Sequence, residues 1–258
     1  MNSIYQHFRP EEHHFLDQVM EWKEVVTDQY RSKLTDFLDP REQEIIQAVV
    51  GQNHEVRVEL SGGLYDTERK RALLYPEYYA PLQDDFELVL FELEYPSKFV
   101  TIQHRDVLGS LMSLGLKRSK FGDILTAADR IQVVVAKDVS DYLRMNFTEI
   151  GKSKISLKEI PLNLMLQKQV VLEEMTTTVS SLRLDAVASA IYKLSRQKIG
   201  PYISNGLVKV NFKKVEQPSF QCRTGDTISV RGIGRCKLIG VEGKTKKDKW
   251  RLVVGIQK

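Results

Sequence analysis

The chain has 258 residues, of which 42% are apolar and 28% are charged, values close to those of ordinary globular proteins that exclude a wholly disordered chain. The length predicts two or three domains. The net charge of +4 hides an asymmetry, because residues 1–110 carry 11 basic and 21 acidic side chains whereas residues 181–258 carry 17 and 5. The basic C-terminal segment is therefore expected to bind a polyanion, and a solvated surface that binds nothing is the alternative.

The sequence lacks the features of several classes of protein. No apolar run reaches the ~18 residues of a membrane helix, and the N-terminal residues lack an apolar signal core, so we expect a cytoplasmic protein without a membrane partner. The two cysteines, Cys222 and Cys236, give neither a disulfide framework nor a CxxC motif. Adjacent His13 and His14 would point about 100° apart on a helix and would not share an ion. No metal, cofactor, catalytic residue or small-molecule substrate is predicted, and no GxxxxGK[ST] phosphate loop is present.

Residues 1–82 are expected to form a helical region with a short strand. A first helix is indicated by an apolar stripe at steps of three and four residues, comprising Phe15, Val19, Trp22, Val26 and Tyr30. Asp39 and Pro40 predict the cap and first turn of a second helix, and Gly51 predicts its left-handed end. The alternating residues 56–60 predict a strand.

Residues 83–165 are expected to form a split β-α-β-β-α-β domain, the ferredoxin-like arrangement that RNA-recognition domains share. The predicted elements are a strand over 86–95, a helix over 106–114 capped by Asp106, strands over 123–126 and 130–136, a helix over 138–147 and a strand over 153–160. The aromatic motif that stacks bases in RNA-recognition domains is absent. Lys117, Arg118 and Lys120 form a second candidate RNA-binding group, and a solvated loop is the alternative.

Residues 166–180 are expected to be a linker, followed by a small α/β domain over 181–258. The predicted elements are a helix over 181–192, a second helix from Leu194 to Gly206, strands over 207–211 and 227–232, and a final hairpin over 236–256 with a lysine-rich turn at 243–249. The overall expectation is thus an α+β protein of three modules.

The basic segment resembles the RNA-binding domain named after small-subunit ribosomal protein four, the S-four domain. The matching positions are Arg183, Leu184, Asp185, Ser195, Arg196, Lys198, Ile203, Gly206, Val208, Val210, Asn211, Gly225, Asp226, Ile228 and Val230. Two departures stand out. Pro201 is expected to kink or restart the second helix. Phe212 stands where many members have a turn glycine. With an aromatic residue at this position, the chain resembles YlmH-type proteins.

The whole chain resembles YlmH-type proteins, with an acidic helical start, an RNA-recognition-like middle and a C-terminal S-four domain. The resemblance implies a non-enzymatic, ribosome-associated RNA-binding factor. It further implies action on large ribosomal subunits that still hold peptidyl-tRNA, in the rescue of stalled translation. The expected partners are rRNA or tRNA and the large subunit, and a monomer is expected.

The RNA-binding residues expected in the S-four domain are Arg183, Asp185, Ser195, Arg196, Lys198, Lys209, Asn211, Arg231 and Arg235. Arg183 begins the first helix, whereas Arg196 and Lys198 begin the second. Both helix starts are expected to point amides and cations outward, toward phosphates. Asp185 is expected to orient an arginine, because a bare carboxylate repels phosphate, and an ordinary structural ion pair is the alternative.

Two other functional classes remain open at this stage. An RNA-modifying enzyme, either a pseudouridine synthase or a methyltransferase, is disfavoured because fewer than 80 residues follow Asp185 and no glycine-rich cofactor loop is present. A protein-interaction adaptor would instead use the acidic N-terminal half as its working surface.

Overall fold

The computed structural model describes residues 4–51, 55–63, 67–167 and 172–257. The chain forms two compact units, Met1–Lys168 (unit one) and Gln169–Lys258 (unit two). Helices and mainly antiparallel sheets occur in both, which confirms the α+β class. Within the described ranges, no helix combines the length and the apolar character needed to span a membrane.

Unit one begins with a three-stranded sheet packed against two helices. Its elements are α1 (His13–Gln29), β1 (Lys33–Leu38), α2 (Pro40–Val50), β2 (Val56–Ser61) and β3 (Lys70–Pro76). The strands are antiparallel in the order β1-β3-β2. Leu16 and Val19 of α1 and Ile46 of α2 share one core with Leu74 of β3. The sheet depends on β1 and on the central strand β3, and the sequence pattern predicted neither.

The ends of α2 confirm one prediction and correct another. The carboxylate of Asp39 accepts the Glu42 backbone N–H at 2.9 Å, and Pro40 occupies the first turn, as predicted. Gly51 was expected to be left-handed, but it has a φ of −62° and donates its N–H to the Gln47 carbonyl. This bond continues the helical pattern, so Gly51 is not in the left-handed conformation.

The second part of unit one is the predicted split β-α-β-β-α-β arrangement. Its elements are β4 (Leu88–Glu94), α3 (His104–Ser113), β5 (Phe121–Ala127), β6 (Arg130–Ala136), α4 (Ser140–Asn146), β7 (Glu149–Ile150), β8 (Ser153–Lys154) and β9 (Ser156–Ile160). The antiparallel order β5-β6-β4-β9 is the one this arrangement produces. Asp106 is not the cap of α3: Gln103 holds that position, and Asp106 accepts the Gln103 N–H from the first turn.

Protein covers one face of this four-stranded sheet and part of the other. Arg144 of α4 lies 5.5 Å over the ring of Phe91, which identifies the helix-covered face. Gln132 is fully buried on the opposite face, where it donates to the Leu164 carbonyl and accepts the Leu166 N–H at 2.7 Å. Leu164 and Leu166 therefore occupy part of the face on which RNA-recognition domains stack bases, whereas Arg130 and Lys158 on the same face are exposed.

Unit two is a six-stranded antiparallel sheet with two helices on one face. Its elements are β10 (Leu172–Val179), α5 (Leu184–Tyr192), α6 (Arg196–Ser204), β11 (Val208–Val210), β12 (Lys213–Lys214), β13 (Thr227–Val230), β14 (Gly234–Lys244) and β15 (Trp250–Gln257). The strand order is β10-β15-β14-β13-β11-β12. Val187 and Ile199 of the helices share a core with Ile228 and Leu252 of the sheet.

Two expectations for this unit need correction. Residues 172–179 of the expected linker form β10, which pairs along its whole length with β15. Because its acidic and threonine residues hide the apolar alternation, the strand has a weak sequence signal. Helix α6 runs through Pro201, which is exposed, so the expected restart is not seen and the alternative, a kink, stays a prediction. The domain boundaries expected near residues 82 and 165 stay predictions.

Candidate nucleic-acid interface

Cations lie on two opposite sides of unit two. On β11, β13 and β14, Val208, Ile228 and Cys236 point into the core beneath α5 and α6. Neighbouring residues on each strand point the other way, away from the helices. We call the starts of α5 and α6, with Arg183, Ser195, Arg196 and Lys198, the helix face. We call the outward residues Lys209, Ser229, Arg235 and Lys237 the sheet face.

Arg183 is held at the start of α5 by Asp185. Its Nε and Nη2 atoms donate to the two carboxylate oxygens at 3.1 Å each, and Asp185 also accepts the Ala186 N–H. These hydrogen bonds raise the pKa of the Arg183 guanidinium. The Arg183 side chain remains 43% exposed. The geometry agrees with the expected orienting role of Asp185, and contact of Arg183 with RNA stays a prediction.

The backbone amides at the start of α5 do not point outward. The Leu184 N–H donates to the Phe220 carbonyl at 2.8 Å, and the Asp185 N–H donates to the Pro218 carbonyl at 3.1 Å. The expectation of outward amides is therefore wrong for α5. Phosphate contacts on this part of the helix face would have to come from side chains.

The start of α6 presents exposed cations. Ser195 caps the helix, with its hydroxyl accepting the Lys198 N–H. Arg196 and Lys198 are both exposed. The Arg196 Nη2 atom donates to the Ser180 hydroxyl at 3.0 Å, which ties the first residue of α6 to the segment just before α5. The two helix starts are thus linked, and Arg196 keeps further donors for a partner.

The sheet face aligns side chains across three strands. Lys209 lies directly opposite Ser229, and Ser229 lies directly opposite Arg235. The Arg235 Nε atom donates to the Ser229 hydroxyl at 3.2 Å. Exposed Lys237 follows two residues after Arg235 and so shares its face. Lys237 was not among the predicted site residues, although its alternation with buried Cys236 and Leu238 is a signal that would have found it.

Two of the other predicted residues differ in their role. Asn211 is used by the fold, because its Nδ2 atom donates to Asp226 at 2.8 Å and its Oδ1 atom accepts the Thr227 N–H at 2.9 Å. The geometry therefore favours a structural role for Asn211. Arg231 is exposed just after β13 and donates its backbone N–H to the Leu207 carbonyl, which leaves its side chain at the surface.

The second candidate group, in unit one, is largely used by the fold. Arg118 donates to the Phe121 and Gly122 carbonyls, and burial lowers its pKa to about 10. The Lys120 ammonium bonds Asp36 and Asp138 at 2.7 and 2.6 Å. Lys117 is exposed. These contacts favour a structural role for Arg118 and Lys120, and RNA binding by this group stays a prediction.

Three family models match the chain in succession. They are described as "YlmH, N-terminal" over residues 11–79, "Putative RNA-binding domain in YlmH" over 81–164 and "S4 domain", the S-four domain, over 182–228. The chain is also 51% identical, over all 258 residues of both proteins, to "Ribosome-associated protein quality control protein P2" of Bacillus subtilis (strain 168). The chain belongs to the YlmH family.

A solved structure of another YlmH protein is also similar. The structure titled "Cell division protein ylmH from Streptococcus pneumoniae" is 34% identical, with a TM-score of 0.56, and the match covers 64% of this chain and 100% of that chain. In the present YlmH chain the S4 match ends at residue 228, whereas the sheet of unit two continues to Gln257. Arg235 and Lys237 of the sheet face therefore lie outside the matched S4 range.

The cysteines of this YlmH protein are inside the core. Cys222 and Cys236 are both buried, and neither forms a disulfide bond. Burial raises the pKa of the Cys236 thiol, which disfavours the reactive thiolate. Within the described ranges, no three histidine, cysteine or acidic side chains are grouped so that they could hold a metal ion.

Proposed function

We propose that this YlmH-family chain is a non-enzymatic RNA-binding factor that associates with ribosomes and binds structured rRNA or tRNA through unit two. The observation that carries the proposal is the helix face, where exposed Arg196 and Lys198 and oriented Arg183 stand at two linked helix starts within the S4 match. Guanidinium groups held in fixed positions suit the phosphates of a folded RNA better than mobile charges do.

We further infer that the target is the large ribosomal subunit holding peptidyl-tRNA, in the rescue of stalled translation. The name of the Bacillus subtilis relative, a ribosome-associated quality control protein, supports this pathway. The protein would act as a cytoplasmic monomer. The charge distribution supports contact through unit two, because residues 181–258 carry a net charge of +12 whereas residues 1–110 carry −10.

Co-sedimentation through sucrose gradients tests the proposal. Full-length protein is mixed with purified small subunits, vacant large subunits, or large subunits carrying peptidyl-tRNA. We expect it to sediment with large subunits, most strongly when peptidyl-tRNA is present, and crosslinks should map to unit two. Arg196→Ala should weaken this association. Arg57→Ala, which removes an exposed arginine of unit one, is the matched control and should not.

Absence from every ribosomal fraction would contradict RNA-dependent ribosome association. Equal association with small and large subunits would leave RNA binding in place but overturn the large-subunit target. Crosslinks confined to unit one would overturn the assignment of the interface to unit two.

A further inference from the structure

The turn between β11 and β12 has an unusual backbone. Val210 pairs with Lys213, so Asn211 and Phe212 are the two central residues of a two-residue hairpin. Both are left-handed, with φ values of 49° and 65°. Positive φ at both central positions defines a type I′ turn, in which Asn followed by Gly is the favoured pair.

Phe212 occupies the position in which glycine is favoured. A side chain with a Cβ is disfavoured in the left-handed region, and a bulky aromatic residue more so than Asn. Asn211 gains hydrogen bonds to Asp226 and Thr227 in this conformation. Phe212 has no polar group with which to do the same. The contacts of its ring must therefore explain why an aromatic residue occupies this position.

Core packing does not account for the ring. Over the part of unit two that the structure describes, residues 172–257, the apolar side chains packed on its core include Val215 and Phe220 but not Phe212. Phe212 instead lies partly exposed, with the Arg235 guanidinium 5.2 Å from the ring centroid. The turn thus presents at the surface an aromatic ring with a flat guanidinium lying over it.

The surroundings of the ring are cationic. Lys213 follows it in the turn, and Lys209 lies on the same sheet face as Arg235. Aromatic rings and guanidinium planes stack on nucleobases, and nearby cations hold the flanking phosphates. A base within a duplex cannot present its flat face in this way, whereas an unpaired base can.

We propose that Phe212 and Arg235 form a stacking platform for one unpaired base of the bound RNA. The proposal rests on RNA binding by unit two and adds the kind of RNA that the sheet face takes, an unpaired nucleotide rather than a duplex. It also explains why the turn keeps an aromatic residue in a conformation that favours glycine.

Phe212→Gly separates this role from a structural one. Because Asn-Gly is the favoured type I′ pair, the variant should melt at the same temperature as wild type or higher. The probe is an RNA hairpin whose unpaired loop contains one 2-aminopurine, with a second hairpin that is abasic at that position. Full-length Phe212→Gly should bind the first hairpin about tenfold more weakly, a typical loss for one stacked base.

Three further measurements complete the test. Phe212→Tyr keeps a ring and should bind like wild type. Wild type should quench 2-aminopurine fluorescence, and Phe212→Gly should not. On the abasic hairpin, wild type and Phe212→Gly should bind equally, because the base that the ring would contact is missing.

The outcomes distinguish this inference from the proposed function. If wild type binds neither hairpins nor ribosomal subunits, RNA binding fails and the platform fails with it. If wild type binds large subunits or the hairpin, and Phe212→Gly binds them equally well, only the platform is overturned. A variant that melts at a lower temperature and keeps its affinity would show that Phe212 is a structural residue.

Discussion

Two arginines, one from each unit, have opposite roles. In unit one, Arg71 is buried and donates to the carbonyls of Thr35, Phe86 and Glu87. In unit two, Arg196 is exposed and donates one hydrogen bond to the Ser180 hydroxyl. Residue counts alone would treat the two side chains as equal cations. The structure shows that one completes a fold and the other is available to a partner.

Burial explains the difference. Arg71 ties β3 to β1 and to the segment before β4, and burial lowers the pKa of its guanidinium. Its charge is directed at fixed carbonyls, so it contributes little to attraction at a distance. An exposed guanidinium can release counterions from a phosphate backbone when it binds. The excess of cations that could do this lies in unit two, where residues 181–258 carry a net charge of +12.

The largest effect that follows is a strong salt dependence of RNA binding. If unit two neutralises about 4–6 phosphates, log affinity should fall with log salt at a slope near −3 to −5. Between 50 and 200 mM salt this amounts to a loss of about 60- to 1,000-fold. Fluorescence anisotropy with full-length protein measures it. A flat response would show that the cations of unit two are merely solvated and would remove the contrast between the units.

The second effect concerns stability. Arg71→Met keeps much of the side-chain volume but removes the guanidinium donor of the carbonyls of buried Thr35 and Phe86, so it should destabilise unit one by about 3 kcal/mol. Arg57→Ala, which breaks the exposed pair with Glu77, should cost less than about 1 kcal/mol. Urea unfolding measures both variants. Similar small losses from the two substitutions would mean that buried and exposed arginines are energetically alike here.

Much of the fold follows from local sequence patterns. Alternation and helical spacing located the six elements of the split β-α-β-β-α-β arrangement, because each buries a continuous face. Strands β1, β3 and β10 were missed. β1 is short and lies between two helices, and β10 contains Glu173, Glu174 and three threonines, so their strand character depends on pairing with distant partners.

The candidate site was only partly accessible from sequence. An ordered motif identified Arg183 and Arg196 as cations at helix starts, because that information is carried by neighbouring residues. The bonds from the α5 amides to the 218–220 segment could not be foreseen, because they join separate parts of the chain. The sequence showed that Phe212 replaces the turn glycine of many S-four domains. Its positive φ and its contact with Arg235 could be seen only in the structure.

Single arginines of the helix face should produce the next largest effect. Arg183→Ala or Arg196→Ala should weaken binding to RNA or to large subunits by about tenfold, because each removes an oriented, charge-assisted hydrogen bond. Neither side chain is in the core, so both variants should melt near the wild-type temperature. Full affinity in both variants would show that the helix face is not the main interface.

The smallest effect is expected in the lysine-rich turn between β14 and β15. Lys244 is partly committed to the fold, since it bonds Asp248 at 2.7 Å and lies 5.3 Å from the ring centroid of Trp250. Lys246, Lys247 and Lys249 are exposed and offer point charges without fixed geometry. A single Lys→Ala among these three should therefore reduce RNA affinity only a few-fold, and chiefly at low salt, where screening is weak. Anisotropy titrations at two salt concentrations, run beside Arg183→Ala and Arg196→Ala, measure the difference. If the lysine variants lose binding while both arginine variants keep it, unit two binds RNA as a bare polycation, and the oriented arginines do not distinguish it from any other basic surface.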